Sequence, residues 1–103
     1  MVETLGKVDE AVQQVASALE EYERRNPSSE CTVYRYNPAA IRIRIIDPAF
    51  EGVSRGDRHD IAVAALKGLT GRVISQISVL LCLAPGERHM LDMEFENPSR
   101  SYS

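Results

Sequence analysis

Apolar residues recur every three or four positions in the first quarter of the chain, which predicts an amphipathic helix. The stripe comprises Leu5, Val8, Val12, Val15, Leu19 and Tyr22. This helix is expected to end near Asn26, because Pro27 disfavours helical geometry in the residue before it. The favoured use of the stripe is packing against a sheet, and a short coiled-coil seam is the alternative.

Two segments with strand character follow and predict an antiparallel hairpin. Cys31–Tyr36 is rich in β-forming residues, and Asn37-Pro38 marks a turn. In Ile41–Ile46, isoleucines alternate with Arg42 and Arg44. This alternation predicts a strand whose isoleucines face the core and whose arginines face solvent.

The second half of the chain predicts two helices and another strand. Ser54 is expected to cap a helix running to about residue 67, and Thr70 a short helix to about residue 74. The unbroken apolar run Ile77–Leu83 predicts a buried strand in the middle of the sheet. Residues 91–96 alternate between apolar and acidic side chains and predict a short edge strand, with residues 97–103 forming a flexible tail.

Composition indicates one globular domain over residues 1–103. Hydrophobic residues make up 44% of the chain and charged residues 26%, a balance that argues against global disorder. The formal net charge of −3 argues against a strongly basic nucleic-acid-binding surface. A local basic face stays open, because the field at a surface depends on where the charges lie.

Several classes of site and location are disfavoured by what the chain lacks. It contains no hydrolase elbow, P-loop or metalloprotease motif, so we expect a protein without catalytic activity. Cys31 and Cys82 lie outside any zinc-binding pattern, and a disulfide between them is the less favoured alternative to two free thiols. No apolar run is long enough to span a bilayer and no signal-like region begins the chain, so we expect a cytoplasmic protein.

The order of elements, combined with one short motif, resembles the BolA family. The motif is Phe-x-Gly-x-Ser followed by Arg-His and an aliphatic helix, then an apolar strand and a Pro-Glu turn. In this chain it corresponds to Phe50, Gly52, Ser54, Arg58, His59, Val63, Ala65, Leu66, Ile77–Leu83 and Pro85-Gly86-Glu87. The resemblance covers about residues 31–87 and implies an αββααβ domain related to the type II KH fold. It implies an α+β structure with a three-stranded sheet, or four strands if residues 91–96 add an edge.

The motif residues have physical roles that do not depend on the family. Phe50 is expected to fill the core where strand meets helix. Gly52 is expected to adopt a backbone angle that a side chain penalises, and Ser54 to cap the helix. His59 has two open interpretations: a packed, hydrogen-bonded structural histidine, or the ligand that the resemblance implies.

The resemblance implies that His59 is a candidate ligand of a two-iron two-sulfur cluster shared with a monothiol glutaredoxin. No cofactor is expected to be bound tightly by this chain alone. The chain departs from the family in two places: residues 37–40 contain no histidine or cysteine, and Asp60 stands where a basic residue is usual. His89 is the alternative ligand on this chain.

Two other functions remain open. A KH-like nucleic-acid module would use Gly68-Leu69-Thr70-Gly71 with Arg72, or a basic stripe of Arg42 and Arg44 with Arg35 beside it. A cofactor-free adaptor would use tyrosines and arginines at a protein interface. The candidate residues for binding a partner or nucleic acid are Arg42, Arg44, Arg58 and Arg72.

Overall fold

Four strands and three helices make up residues 2–90, the part of the chain that the computed structural model describes. In chain order they are β1 (Glu3–Leu5), α1 (Glu10–Arg25), β2 (Glu30–Asn37), β3 (Ala40–Ile46), α2 (Arg55–Ala65), α3 (Gly71–Ile74) and β4 (Ile77–Leu83). Two 3-10 turns, Pro48–Phe50 and Pro85–Met90, follow β3 and β4. The prediction of a small α+β domain is confirmed. The predicted strand at 91–96 and tail at 97–103 lie outside the described residues.

The strands form one mixed sheet in the order β1-β2-β3-β4. The predicted hairpin is present: β2 and β3 are antiparallel, with Cys31 opposite Ile45 and Val33 opposite Ile43. β1 pairs parallel to β2, and β4 pairs parallel to β3. Among the strands that the structure describes, β4 is therefore at the edge of the sheet. The predicted strand at 91–96, which bears on whether β4 is central, lies outside the described residues.

The core lies between the helices and one face of the sheet. Its fully buried members come from α1, the two hairpin strands, the turn after β3, and α2, and they include Val12, Val15, Leu19, Val33, Ile41, Ile43, Ile45, Phe50 and Ala62. The stripe of α1 thus packs on a sheet, as predicted. Ile41, Ile43 and Ile45 of β3 share the face that the helices cover, which confirms the alternation predicted from the sequence.

The start of the chain differs from the prediction. Leu5 belongs to β1, and Val8 lies in the loop before the helix with 44% of its surface exposed. The helix begins later because Asp9 caps it, its Oδ1 accepting the backbone N–H of Val12 at 3.0 Å. Arg35 holds Asp9 in place: its Nη2 lies 2.8 Å from the carboxylate, and its side chain is 2% exposed.

The second face of the sheet is also buried over part of its area. Arg44 is 4% exposed, and its Nη2 lies 3.4 Å from the hydroxyl of Thr32, its partner across the strands. The guanidinium of Arg42 stacks 3.6 Å from the ring centre of Tyr36. The prediction that these arginines lie on a solvated face is therefore wrong for Arg44. Arg35 lies on the opposite, helix-covered face, because it is one residue out of phase with Tyr34.

The two cysteines are too far apart for a disulfide. Cys31 pairs with Ile45, and Ile45 pairs with Cys82 on the next strand, so a whole strand separates them. Two inter-strand spacings amount to roughly 9.6 Å, beyond the Cα separation of about 7 Å that a disulfide tolerates. Both are free thiols. No helix in residues 2–90 is long and apolar enough to cross a membrane.

Candidate functional site: the groove between α2 and β4

The chain between β3 and α2 has the geometry expected from its motif. Phe50 is 1% exposed in the core, and Gly52 has a φ of +76°. That angle belongs to the left-handed region that only glycine enters readily. Ser54 caps α2, its Oγ accepting the backbone N–H of Asp57 at 3.2 Å. The predicted roles of all three motif residues are confirmed.

Arg58 joins the start of α2 to the end of β4. Its Nε donates to the carbonyl of Val53 at 2.8 Å, and its Nη1 donates to the carbonyl of Cys82 at 3.1 Å. Its guanidinium also forms a bidentate ion pair with Glu87. The side chain is 7% exposed, and its guanidinium lies 5.8 Å from the ring centre of Phe50. The structure therefore places this candidate binding residue inside the scaffold, where it fixes the helix against the strand.

His59 lies next to Arg58 in sequence but on the outside of α2, where it is exposed. Among the side chains that the structure describes, which do not include those of residues 88–90, neither of its ring nitrogens has a hydrogen-bond partner. The interpretation as a buried, hydrogen-bonded structural histidine therefore does not hold. The histidine instead stands at the rim of a concave surface, where an imidazole is free to contact another molecule.

That concave surface consists of two depressions between α2 and β4, which we call the α2–β4 groove. His59 and Leu80 line both depressions. The first has a volume of about 260 Å³ and is also lined by Arg55, Arg58, Leu81, Cys82, Leu83 and Glu87. The second has a volume of about 510 Å³ and is also lined by Val63, Ala64, Leu66, Lys67, Ile74, Ile77, Ser78 and Val79. Val63 and Ile74 are exposed by 47% and 42%, so the groove presents apolar surface to solvent.

The charges along the groove are mostly positive. The hydrogen bonds from Arg58 lower the pKa of Glu87 to about 2, so this carboxylate is ionised and already neutralised by its partner. Arg55 and Lys67 remain, one at each end of the groove. A chain with a net charge of −3 thus carries an apolar groove with cationic ends.

The donor atoms at the groove fit one part of a metal site and no more. His59 and Cys82 line the same depression. Burial raises the pKa of the Cys82 thiol to about 11, which disfavours the thiolate that binds metal. Within the described residues there is no group of three or more His, Cys, Asp or Glu side chains placed to hold a metal ion.

The remaining candidate residues lie away from the groove. Arg42 and Arg44 are on the second face of the sheet. The Gly68–Gly71 segment does lie between two helices, as predicted, and Arg72 is exposed on α3. Arg72 borders a depression that it shares with Asp9 and Glu10 of the α1 N-terminus. The sequence did not predict that Arg42, Arg44 or Arg72 lies near His59, and in the structure none of the three lines the α2–β4 groove.

The groove itself was not anticipated from the sequence. Val63 was named only as part of the motif's aliphatic helix, and β4 was predicted to be a buried strand, yet Val63 is 47% exposed and most of β4 is only partly buried. The signal that could have revealed it is Glu87, a lone acid after the apolar strand, which pairs with the motif arginine at 58. His89 lies in the turn Pro85–Met90, and its side chain is outside what the structure describes.

Comparisons of the chain with protein-family models, curated proteins and solved structures found no match. The assignment of the groove as a candidate site therefore depends on its geometry alone.

Proposed function

We propose that this protein is a non-catalytic, BolA-like protein-binding module that receives its partner in the α2–β4 groove. The observation that carries the proposal is the exposed apolar lining of the groove, with an unpaired histidine at its rim. Apolar surface exposed in a continuous concave patch is typical of a binding site rather than of an ordinary monomer surface. The order α1-β2-β3-α2-α3-β4 supports the BolA-like part of the proposal.

A monothiol glutaredoxin is the proposed partner, with His59 supplying one ligand to a shared two-iron two-sulfur cluster. What supports this role is the exposure of His59 and its lack of an internal hydrogen bond, since a neutral imidazole nitrogen must be free to bind iron. The proposal places the cluster in the complex, because the described residues of this chain offer an incomplete set of donors. A cofactor-free adaptor would bind its partner in the same groove without a metal, since Tyr34, one of the tyrosines expected at such an interface, is 1% exposed.

The experiment titrates the isotope-labelled protein with monothiol glutaredoxin, with and without its cluster. If the partner binds in the α2–β4 groove, the chemical-shift changes should be concentrated in α2 and β4. Val63→Asp should abolish binding, because it places a charge in the apolar lining. Ile61→Asp is the matched control: Ile61 is 43% exposed on the same helix but borders a depression beside α1 instead. If both variants bind like the wild type, the groove is not the binding site.

The cluster role has a separate readout in the visible absorption and circular dichroism spectra. The complex should show a changed cluster spectrum that His59→Ala removes and Asp60→Ala retains. Binding in the groove without any spectral change would reject the ligand role and leave the adaptor. The absence of binding by either form of glutaredoxin would reject this partner.

The nucleic-acid alternative receives less support. Arg44 is buried, so the strand stripe cannot present both guanidinium groups to a phosphate backbone. At the Gly68–Gly71 segment, Glu10 shares the surface with Arg72 and opposes the approach of phosphate, and Arg35 in the same depression is already paired with Asp9.

A further inference from the structure

Within residues 2–90, no strand pairs with the edge of β4 that faces away from β3. Among the described strands, β4 pairs with β3 and with no other. The carbonyl of Leu83 points towards β3, where it accepts the N–H of Asp47 at 2.9 Å. The carbonyl of Cys82 points the other way, to Arg58. Because backbone groups alternate in direction along a strand, the N–H and C=O of Leu80 point outward like those of Cys82.

Within the part of the chain that the structure describes, this edge of β4 is blocked at its Leu83 end and unpaired at its Ile77 end. Arg58 occupies the Cys82 carbonyl and is itself held by Glu87, so a strand cannot extend past this point. Towards the start of β4, Ser78 is exposed and Leu80 lies in the floor of the groove. An added strand therefore has a short register centred on Leu80, with its side chains reaching Val63 and Ile74 on the wall opposite.

The charges define what the added strand should contain. Arg55 lies at the Leu83 end of the groove and Lys67 at the Ile77 end. The Glu87 carboxylate is engaged by Arg58 and offers little repulsion to another acid. Acidic residues at the two ends of a ligand would meet these cations, and apolar residues between them would meet the lining.

We propose that the α2–β4 groove binds an extended segment of a partner protein, apolar in its centre and acidic at both ends, which adds to the sheet beside β4. This inference rests on the proposed function and specifies its binding mode. Backbone pairing supplies affinity in such strand addition, while the pockets for alternate side chains supply specificity. The charges add orientation and a salt-sensitive association rate.

The test uses the full chain and an acetylated, amidated peptide matched to the seven residues of β4. The peptide has glutamate at each end and alternating valine and threonine between. Titration followed by NMR should show saturable binding, together with slower exchange of the Leu80 amide. The same peptide with lysine in place of glutamate should bind about tenfold more weakly at low salt, which corresponds to about 1.4 kcal/mol.

Two controls separate strand addition from other contacts. A peptide N-methylated at alternate amides keeps its side chains but loses its pairing edge, and it should also bind about tenfold more weakly. Lys67→Glu should weaken binding of the glutamate peptide several-fold, whereas Lys7→Glu, an identical exchange at an exposed residue outside the groove, should not.

Several outcomes overturn the inference. The first is that the glutamate peptide does not bind at about 1 mM, the limit of weak recognition. The second is that the methylated peptide binds equally well. The third is that the peptide binds without slowing hydrogen exchange of the Leu80 amide. Self-association that Val63→Asp abolishes would identify a second copy as the occupant and also overturn it. If glutaredoxin binding is lost in Val63→Asp while the peptides fail, the proposed function stands and strand addition fails. If the peptides bind as expected while Val63→Asp does not change glutaredoxin binding, strand addition stands and the proposed binding of glutaredoxin in the groove fails.

Discussion

Arg58 and Glu87 form a bidentate ion pair, with Nη1–Oε1 at 2.6 Å and Nη2–Oε2 at 3.2 Å, between α2 and the turn after β4. Glu87 also accepts the backbone N–H of Ala84 at 3.0 Å, so the acid caps the end of the strand as well as holding the arginine. Since Arg58 also bonds the Cys82 carbonyl, this pair sets the separation of the two walls of the groove.

Because of this ion pair, the stability of the fold should decrease at acid pH. The pKa of Glu87 is lowered to about 2 from an ordinary value of 4.5 by the Arg58 and Ala84 hydrogen bonds. A depressed folded-state pKa means that the stabilisation is complete above pH 4.5 and is lost as the pH falls towards 2. The free energy of unfolding, measured with urea, should therefore decrease less between neutral and acid pH in Glu87→Gln than in the wild type. Glu20→Gln, at an exposed site on α1, should retain the wild-type acid loss.

Gly52 and Gly56 should respond oppositely to the same substitution. A Cβ at either position would meet nothing within 4 Å, so packing does not distinguish them. Gly52→Ala forces alanine to a φ of +76° and should lower the free energy of unfolding by about 1 kcal/mol. Gly56→Ala lies within α2 and should raise it by about 0.5–1 kcal/mol. Equal effects in urea denaturation would show that the backbone of this turn is not constrained.

Tyr22 and Asp47 link α1 to the end of β3 through a buried hydrogen bond. Tyr22→Phe leaves the carboxylate without this donor and should cost about 1.5–3 kcal/mol. Burial and Asp47 raise the pKa of the Tyr22 hydroxyl above its usual value of 10. A raised folded-state pKa means full stabilisation below pH 10 and a loss above it. The decrease in the free energy of unfolding above pH 10 should be absent in Tyr22→Phe and retained in Tyr36→Phe. Urea unfolding at pH values on both sides of 10 measures it.

The two thiols should be free and slow to react. Burial raises the pKa of Cys31 to about 12 and that of Cys82 to about 11. At mildly alkaline pH both are almost wholly protonated, and the thiolate is the reactive form. Alkylation followed by mass spectrometry should label Cys82 slowly and Cys31 more slowly still in the folded protein. Denaturant without reductant should then release two reactive thiols, and a single disulfide-linked species would contradict the pairing of the strands.

Local features were predictable because they depend on neighbouring residues. The caps at Ser54 and Thr70 and the bend at Gly52 each follow from the chemistry of a few adjacent positions. The bounds of β4 were also predicted, because Pro85-Gly86 stops the apolar run. The start of α1 was misplaced, because Leu5 and Val8 continue the helical period by coincidence and the decisive cap at Asp9 is fixed by an arginine far along the chain.

Burial was harder to predict than element type. The alternation in β3 assigned its two faces correctly, but it cannot say how much of the second face is covered. Arg44 is therefore buried where solvent was expected. The same ambiguity applies to β4, since a continuous apolar run is compatible with a central strand or with an edge strand that lines a groove.

The sequence by itself determined the hairpin and the existence of the helices, because periodicity, capping and turn chemistry act over a few residues. It left open whether His59 is packed or exposed, and the structure shows that it is exposed. Only the tertiary structure decided that Arg58 meets Glu87, 29 positions away, and that α2 and β4 leave an apolar groove between them. Such contacts depend on how distant segments pack, and the pattern of one segment carries no information about the partner it will meet.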